Sequence, residues 1–149
     1  MIQFNNAAEH RRSAEAPRIF LVDDLQEVLR TVSTILKDQF QIVGLAEDGK
    51  SALHLVRTLS PDVLVIDIVM PLMNGIETAM RLKASGLRIK VLFLTAHGDP
   101  DFLAAAMATG AQGYILKPRL AIDLVPALWD VLAGRTFVSL PCTSSKGYR

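Results

Sequence analysis

Apolar positions fall into two alternating kinds of segment along the chain, short continuous runs of strand length and longer stretches of helical period. This is the pattern of a βαβ series building a parallel sheet covered on both faces. The first run, Arg18 to Val22, ends at Asp23 and Asp24. Val28, Leu29, Val32, Ile35 and Leu36 then form one helical stripe, and Gln41 to Ala46 predicts a second strand. Ala52, Leu55, Val56 and Leu59 recur at i, i+3, i+4 and i+7 behind Asp48, a suitable N-cap. Asp62 to Ile66 is dense in Val, Leu and Ile without alternation, which predicts a central strand buried on both faces, ending at Asp67. Asn74 with Glu77 predicts a capping box that opens a third helix with Ile76, Ala79 and Met80 inward. Lys90 to Leu94 reads as the fourth strand, Asp99, Pro100 and Asp101 as a helix start, Gly110 as its end, and Gly113 to Leu116 as a short fifth strand. The last helix is predicted to begin at Asp123, which puts Pro126 in its first turn, where a missing N–H costs little.

Five βα units are too few to close an eight-unit barrel. The fold class predicted is therefore α/β, a doubly wound five-stranded parallel sheet with five helices. Residues 1–16 read as a flexible extension, 17–135 as the single domain, and 136–149 as a tail or linker without helical period. Composition agrees with one packed domain, since half of the 149 residues are hydrophobic and 21% are charged. A formal charge of +1 argues against a general nucleic-acid binder. No apolar run approaches the roughly 20 residues of a membrane span, and the first residues lack the hydrophobic stretch of a signal peptide, so a cytoplasmic protein with no membrane partner is expected. Cys142 stands alone, which removes an internal disulfide and a cysteine-based metal cluster.

The polar residues at the strand ends carry the chemistry. Asp23 and Asp24 end the first strand, Asp67 the third, Thr95 the fourth and Lys117 the fifth, and all face one edge of the sheet. Ligands of open parallel sheets bind beyond that edge, near the switch in strand order. Three clustered carboxylates repel one another, and hard oxygen ligands call for Mg²⁺ or a similar divalent ion. Together with a lysine and a hydroxyl, such a site is matched to a group carrying several anionic oxygens, phosphoryl above all. A carboxylate acting as nucleophile then yields an aspartyl phosphate.

The segments FLVDD, DVLVIDIVMPLMNG, VLFLTA and GYILKP, in that order between about Arg18 and Arg135, resemble the receiver domains of bacterial two-component response regulators. LAGRTFVS resembles the end of receivers that carry a C-terminal helix-turn-helix domain. The resemblance implies a CheY-like, flavodoxin-like sheet of order 2-1-3-4-5. It further implies Asp67 as phosphoacceptor and Mg²⁺ (or Mn²⁺) held by Asp24, Asp23, Asp67 and the backbone carbonyl of Val69. Lys117 would pair with the phosphoryl oxygens, Thr95 would be the switch hydroxyl and Tyr114 the aromatic that turns inward on activation. The donor would be a sensor histidine kinase or phosphotransfer protein. The same resemblance suggests a cis bond at Pro118, and the positions of Val69 and His97 are ones the family varies to set the lifetime of the acyl phosphate.

Plainer roles stand beside these. Asp24 also suits capping of the next helix, Thr95 ordinary strand-end polarity, and Tyr114 plain core. Asp67 has no such role, because Ile68, Val69, Met70 and Pro71 follow it and no helix starts there. His54 falls off its apolar stripe and is expected in solvent. On the last helix Val125, Trp129 and Leu132 widen the apolar arc beyond Leu124, Ala127, Leu128 and Val131, and the neighbouring helix is alanine-rich and uncharged. A protein interface on the last two helices, including a homodimer, is the expectation. After Ser139 too little chain remains for a helix-turn-helix domain, so no direct DNA binding by this chain is expected; a fragment of a longer transcription factor is the alternative. A phosphatase with a D-x-D nucleophile is disfavoured by Leu25 at the third position, and a flavodoxin-like electron carrier by the acidic loop after the first strand.

Overall fold

The computed structural model describes residues 16–139. Strands β1 (Arg18–Val22), β2 (Gln41–Ala46), β3 (Val63–Ile66), β4 (Lys90–Thr95) and β5 (Gly113–Leu116) alternate with helices α1 (Gln26–Leu36), α2 (Gly49–Leu59), α3 (Gly75–Ala84), α4 (Pro100–Ala108) and α5 (Leu120–Leu132). A further strand, β6 (Phe137–Val138), follows α5. All pairings are parallel, and the order is β2-β1-β3-β4-β5-β6. The sheet is thus the expected 2-1-3-4-5 series with one strand added. Residues 137–138 fall within the segment expected as a tail or linker. They form a strand because the outer edge of β5 otherwise presents unpaired backbone groups, which Phe137 and Ser139 satisfy by donating to the carbonyls of Gln112 and Tyr114 at 2.9 Å each. The rest of the tail and the N-terminal extension lie outside the described residues.

Each face of the sheet has its own core. Phe20, Val22, Leu64, Ile66, Phe93 and Tyr114 pack against α2, α3 and α4, while Ile19, Leu21, Val63, Val65, Leu92 and Ile115 pack against α1 and α5. Every residue of β3 is buried, as its unalternating sequence predicts for a central strand.

Most helix starts are those predicted. Asp48, Asn74 and Asp99 cap α2, α3 and α4 by accepting from the backbone N–H of Ser51, Glu77 and Phe102. Only half of the capping box forms, because the Glu77 carboxylate pairs with Arg81 instead of turning back to Asn74. The buried stripe of α3 is Gly75, Thr78, Ala79 and Leu82, so Met80, predicted inward, is exposed. Thr78 can occupy that stripe because its hydroxyl donates to the Asn74 carbonyl at 2.9 Å. Leu55 likewise sits at the rim of its stripe and is exposed.

The start of α5 differs from expectation. Lys117–Arg119 wind into a 3₁₀ turn that runs directly into α5 at Leu120. Asp123 is therefore within the first turn and not the helix start, and Pro126 lies inside the helix, where the Ile122 carbonyl loses its usual donor. Asp123 is buried, and Arg119 grips it with two hydrogen bonds of 2.9 and 3.2 Å. Those bonds hold its carboxyl below the usual range against the opposing effect of burial.

Candidate functional site

The switch in strand order falls between β1 and β3, since the chain leaves β1 for β2 on one side and returns to β3 on the other. Val22 and Ile66, the last residues of these strands, are register partners, so Asp23 and Asp67 leave the sheet side by side. Backbone bonds extend the ladder past both strands: Asp67 donates to the Val22 carbonyl at 3.0 Å and Asp23 to that of Ala46 at 3.1 Å. Each carboxylate also accepts from the backbone two residues on, Asp23 Oδ1 from Leu25 at 2.9 Å and Asp67 Oδ1 from Val69 at 3.3 Å. Both acids are buried, whereas Asp24 is partly exposed.

Lys117, the first residue after β5, reaches this pair from across β4. Its Nζ lies 2.9 Å from Asp23 Oδ2 and 3.2 Å from Asp67 Oδ2. The contact with Asp67 is a hydrogen bond, and the same ammonium is the only partner that compensates buried Asp23 Oδ2 among the described residues. Burial raises the Asp67 carboxyl above the ordinary range, and repulsion from Asp23 adds to this, while Lys117 and the Val69 N–H pull only partly the other way. Burial would lower Lys117, yet its pairing with the two aspartates outweighs it and the ammonium is held above its ordinary value.

One oxygen from each of Asp23, Asp24 and Asp67 lies within 4.8 Å of the others. Octahedral Mg²⁺ takes oxygens at about 2.1 Å, so that opposed ligands stand about 4.2 Å apart. Three clustered carboxylates against one ammonium leave an excess of negative charge, and Asp23 Oδ2 has lone pairs that Lys117 alone does not satisfy. The residues present therefore fit a hard divalent cation.

Thr95 is fully buried at the end of β4, and its hydroxyl oxygen accepts from the His97 N–H at 3.2 Å. Tyr114, also fully buried, donates its hydroxyl to the carbonyl of the same His97. The backbone of one residue thus links the two, and its ring stacks on Phe102 of α4 at 4.7 Å. His54 is exposed, as expected. No cis peptide bond occurs among the described residues, so the bond before Pro118 is trans, contrary to the expectation.

The apolar arc of α5 is mostly absorbed by its own chain. Val125 and Leu132 are half-buried against the core, and Trp129 lies over Phe40 with centroids 4.8 Å apart while donating Nε1 to Gln39 at 3.1 Å. Trp129 nevertheless remains 40% exposed, and Ile122, about two turns earlier, 64%.

Gly75 is a further residue of the site, outside the expected set. A Cβ there would stand 2.1 Å from the Asp67 carbonyl, and the Gly75 N–H donates to the Ile68 carbonyl at 2.7 Å. Its signal in the sequence is Asn74-Gly75, a cap followed by a residue that lets a helix start close under a strand end. Gly75→Ala is expected to push Asp67 out of register and to destabilise the domain by about 1–3 kcal/mol, measurable by denaturant unfolding; unchanged stability would show that the loop yields at no cost. Arg119, the buried anion Asp123 and Ser139 form a further hydrogen-bonded group outside the expected set.

The structure is thus an open parallel sheet of this order with an acid cluster and a lysine at its carboxyl edge. Residues 19–128 match the response regulator receiver domain, and the chain belongs to that family. It is 35% identical over 136 residues to the transcriptional regulatory protein DegU of Brevibacillus brevis, covering 89% of this chain and 58% of that one. It is 32% identical over 117 residues to the chemotaxis protein CheY of Halobacterium salinarum, covering 78% and 98%. A two-component response regulator of the LuxR family from Aurantimonas superposes with a TM-score of 0.82 at 30% identity, covering 87% of this chain and 94% of that one. The chain thus spans little more than half the length of the DegU relative and nearly all of the CheY relative. Receiver domains of response regulators are signalling modules, and no helix among the described residues is long and apolar enough to cross a membrane.

Proposed function

We propose that Asp67 accepts a phosphoryl group from a phosphohistidine of a sensor histidine kinase or phosphotransfer protein. An Asp67 carboxylate oxygen attacks phosphorus as the donor's N–P bond breaks, and the electron pair left on the imidazole nitrogen takes up a proton. The observation that carries this reading is the pairing of a single ammonium, Lys117, with two buried carboxylates at the switch point. Asp23, Asp24, Asp67 and the Val69 carbonyl are the ligands for Mg²⁺ or Mn²⁺, which supplies positive charge to the transferring oxygens when bound. Lys117, released from one carboxylate by the new negative charge, pairs with a phosphoryl oxygen. The Thr95 hydroxyl accepts its bond from His97 in the present state; turning to the phosphoryl group frees that N–H, and through the His97 carbonyl the change reaches Tyr114.

Output passes by protein contact from α4 and α5, where Trp129 and Ile122 stay in solvent beside Val125 and Leu132. A second reading, a receiver belonging to a longer transcription factor, is favoured by the similarity to DegU. The test of the chemistry is incubation with acetyl phosphate and Mg²⁺. One acid-stable, hydroxylamine-labile phosphoryl group per chain is expected, and none in the presence of a chelator. Continuous turnover of the donor without a stoichiometric adduct, or chelator-resistant labelling, would overturn the reading.

A further inference from the structure

The residue that follows β6 is buried and polar, and it holds the outer edge of the strand that delivers Lys117 at two points. Ser139 is fully buried; its N–H donates to the Tyr114 carbonyl at 2.9 Å, and its hydroxyl accepts from the Leu116 N–H at 3.1 Å. The same hydroxyl donates to Asp123 Oδ2 at 2.7 Å. Arg119 holds that carboxylate from the other side, through Nε to Oδ2 at 2.9 Å and Nη2 to Oδ1 at 3.2 Å. Leu116 immediately precedes Lys117, and Arg119 ends the turn that Lys117 begins. Lys117 is therefore bracketed by two anchors, the Leu116 N–H held through Ser139 and the Arg119 guanidinium, that converge on one buried carboxylate.

We propose that Ser139 is a positioning residue for Lys117, and that β6 is the element through which the C-terminal end of the domain and the acid site sense each other. This rests on the function proposed above. Without the Ser139 oxygen the Leu116 N–H at the edge of β5 has no acceptor, and the strand end that aims Lys117 is free to shift. A one-ångström shift matters for a point charge aimed at transferring oxygens. Coupling of this kind is reciprocal: if docked β6 favours one placement of Lys117, then recruitment of Lys117 by a phosphoryl group alters how firmly residues 137–139 are docked.

Ser139→Ala is expected to slow labelling by acetyl phosphate about tenfold at limiting donor, in line with the effect of outer-shell partners at other charged sites, with Mg²⁺ affinity by calorimetry unchanged. Ser139→Thr, which keeps the hydroxyl, should recover most of the rate, and Asp123→Asn, which loosens the clasp from its other side, should slow labelling in the same sense. The decisive arm is a double-mutant cycle: on a Lys117→Ala background, Ser139→Ala should have no further effect. Amide exchange at Leu116 should accelerate in Ser139→Ala, and exchange at Ser139 should change when wild type binds beryllofluoride. Wild-type rates in both Ser139→Ala and Asp123→Asn, or an equal slowing with and without Lys117, would overturn the positioning role while leaving the acceptor chemistry intact. Failure of wild type itself to label would instead overturn the functional reading beneath it.

Discussion

Asp67→Asn is expected to abolish labelling by any phosphodonor and, at the same time, to raise the stability of the metal-free protein near neutral pH. The first effect follows because the amide lacks the anionic oxygen that attacks phosphorus. The second follows from the site's electrostatics. Burial and the neighbouring Asp23 hold the Asp67 carboxyl above its ordinary value despite the lysine, so the fold binds that proton more tightly than the unfolded chain does. A group shifted in this direction costs nothing below its unfolded value, near pH 4, and costs progressively more as pH rises through its folded value. The amide carries no such cost. The gain in Tm, a few degrees for a domain of this size, should therefore be present at neutral pH and fade as the solution is acidified toward pH 4. Thermal melts of both proteins in chelator across that range check it. Labelling that persists in the variant would place the acceptor elsewhere, and a variant less stable than wild type at every pH would mean that Asp67 supports the fold.

The two effects together separate a functional carboxylate from a structural one, and it is the functional kind that was most legible in the sequence. A run such as Val63 to Ile66 can only be a strand covered on both faces, and an aspartate at its end with no helix to cap has no local purpose. What failed to read were the places where local signals were overridden by contacts distant along the chain. Asp123 stands before an apolar run and so imitates a helix start, yet the helix is already under way, launched from the 3₁₀ turn at Lys117–Arg119. With the start three residues early, the i,i+4 spacing of Arg119 and Asp123 lost its meaning as a helical pair. β6 has two residues, below any periodicity, and exists because β5 needs an edge partner. Trp129 and Val125 looked like surplus apolar surface because the wheel of one helix cannot include Phe40, which comes from the α1–β2 turn and covers part of it. Met80, expected inward, is exposed for a local reason: the buried stripe runs through Thr78, whose hydroxyl is satisfied by the Asn74 carbonyl one turn earlier.

Lys117→Met is expected to destabilise the metal-free domain by about 3 kcal/mol at neutral pH. Breaking a buried ion pair from one side typically costs about 3–5 kcal/mol, and the lower end applies because the lysine side chain is 16% exposed. Methionine matches the apolar stem, so the loss isolates the ammonium that faces Asp23 and Asp67. The pH dependence carries the argument. In wild type the Lys117 value is raised in the fold, so its contribution is present across the neutral range and lost only as alkaline pH passes through that raised value. In the variant the uncompensated carboxylates dominate, with Asp67 held still higher by burial and by Asp23. The destabilisation should therefore grow as pH rises from about 4, the unfolded value of an aspartate, and level off once Asp67 is ionised in the fold. Mg²⁺ should reverse much of it: a cation present at 100 times its dissociation constant adds about 2.7 kcal/mol, and the variant offers it the same carboxylates without a competing ammonium. Denaturant unfolding at several pH values, with and without Mg²⁺, measures both trends. A loss independent of pH and insensitive to Mg²⁺ would assign Lys117 to packing and remove it from the charge balance of the site.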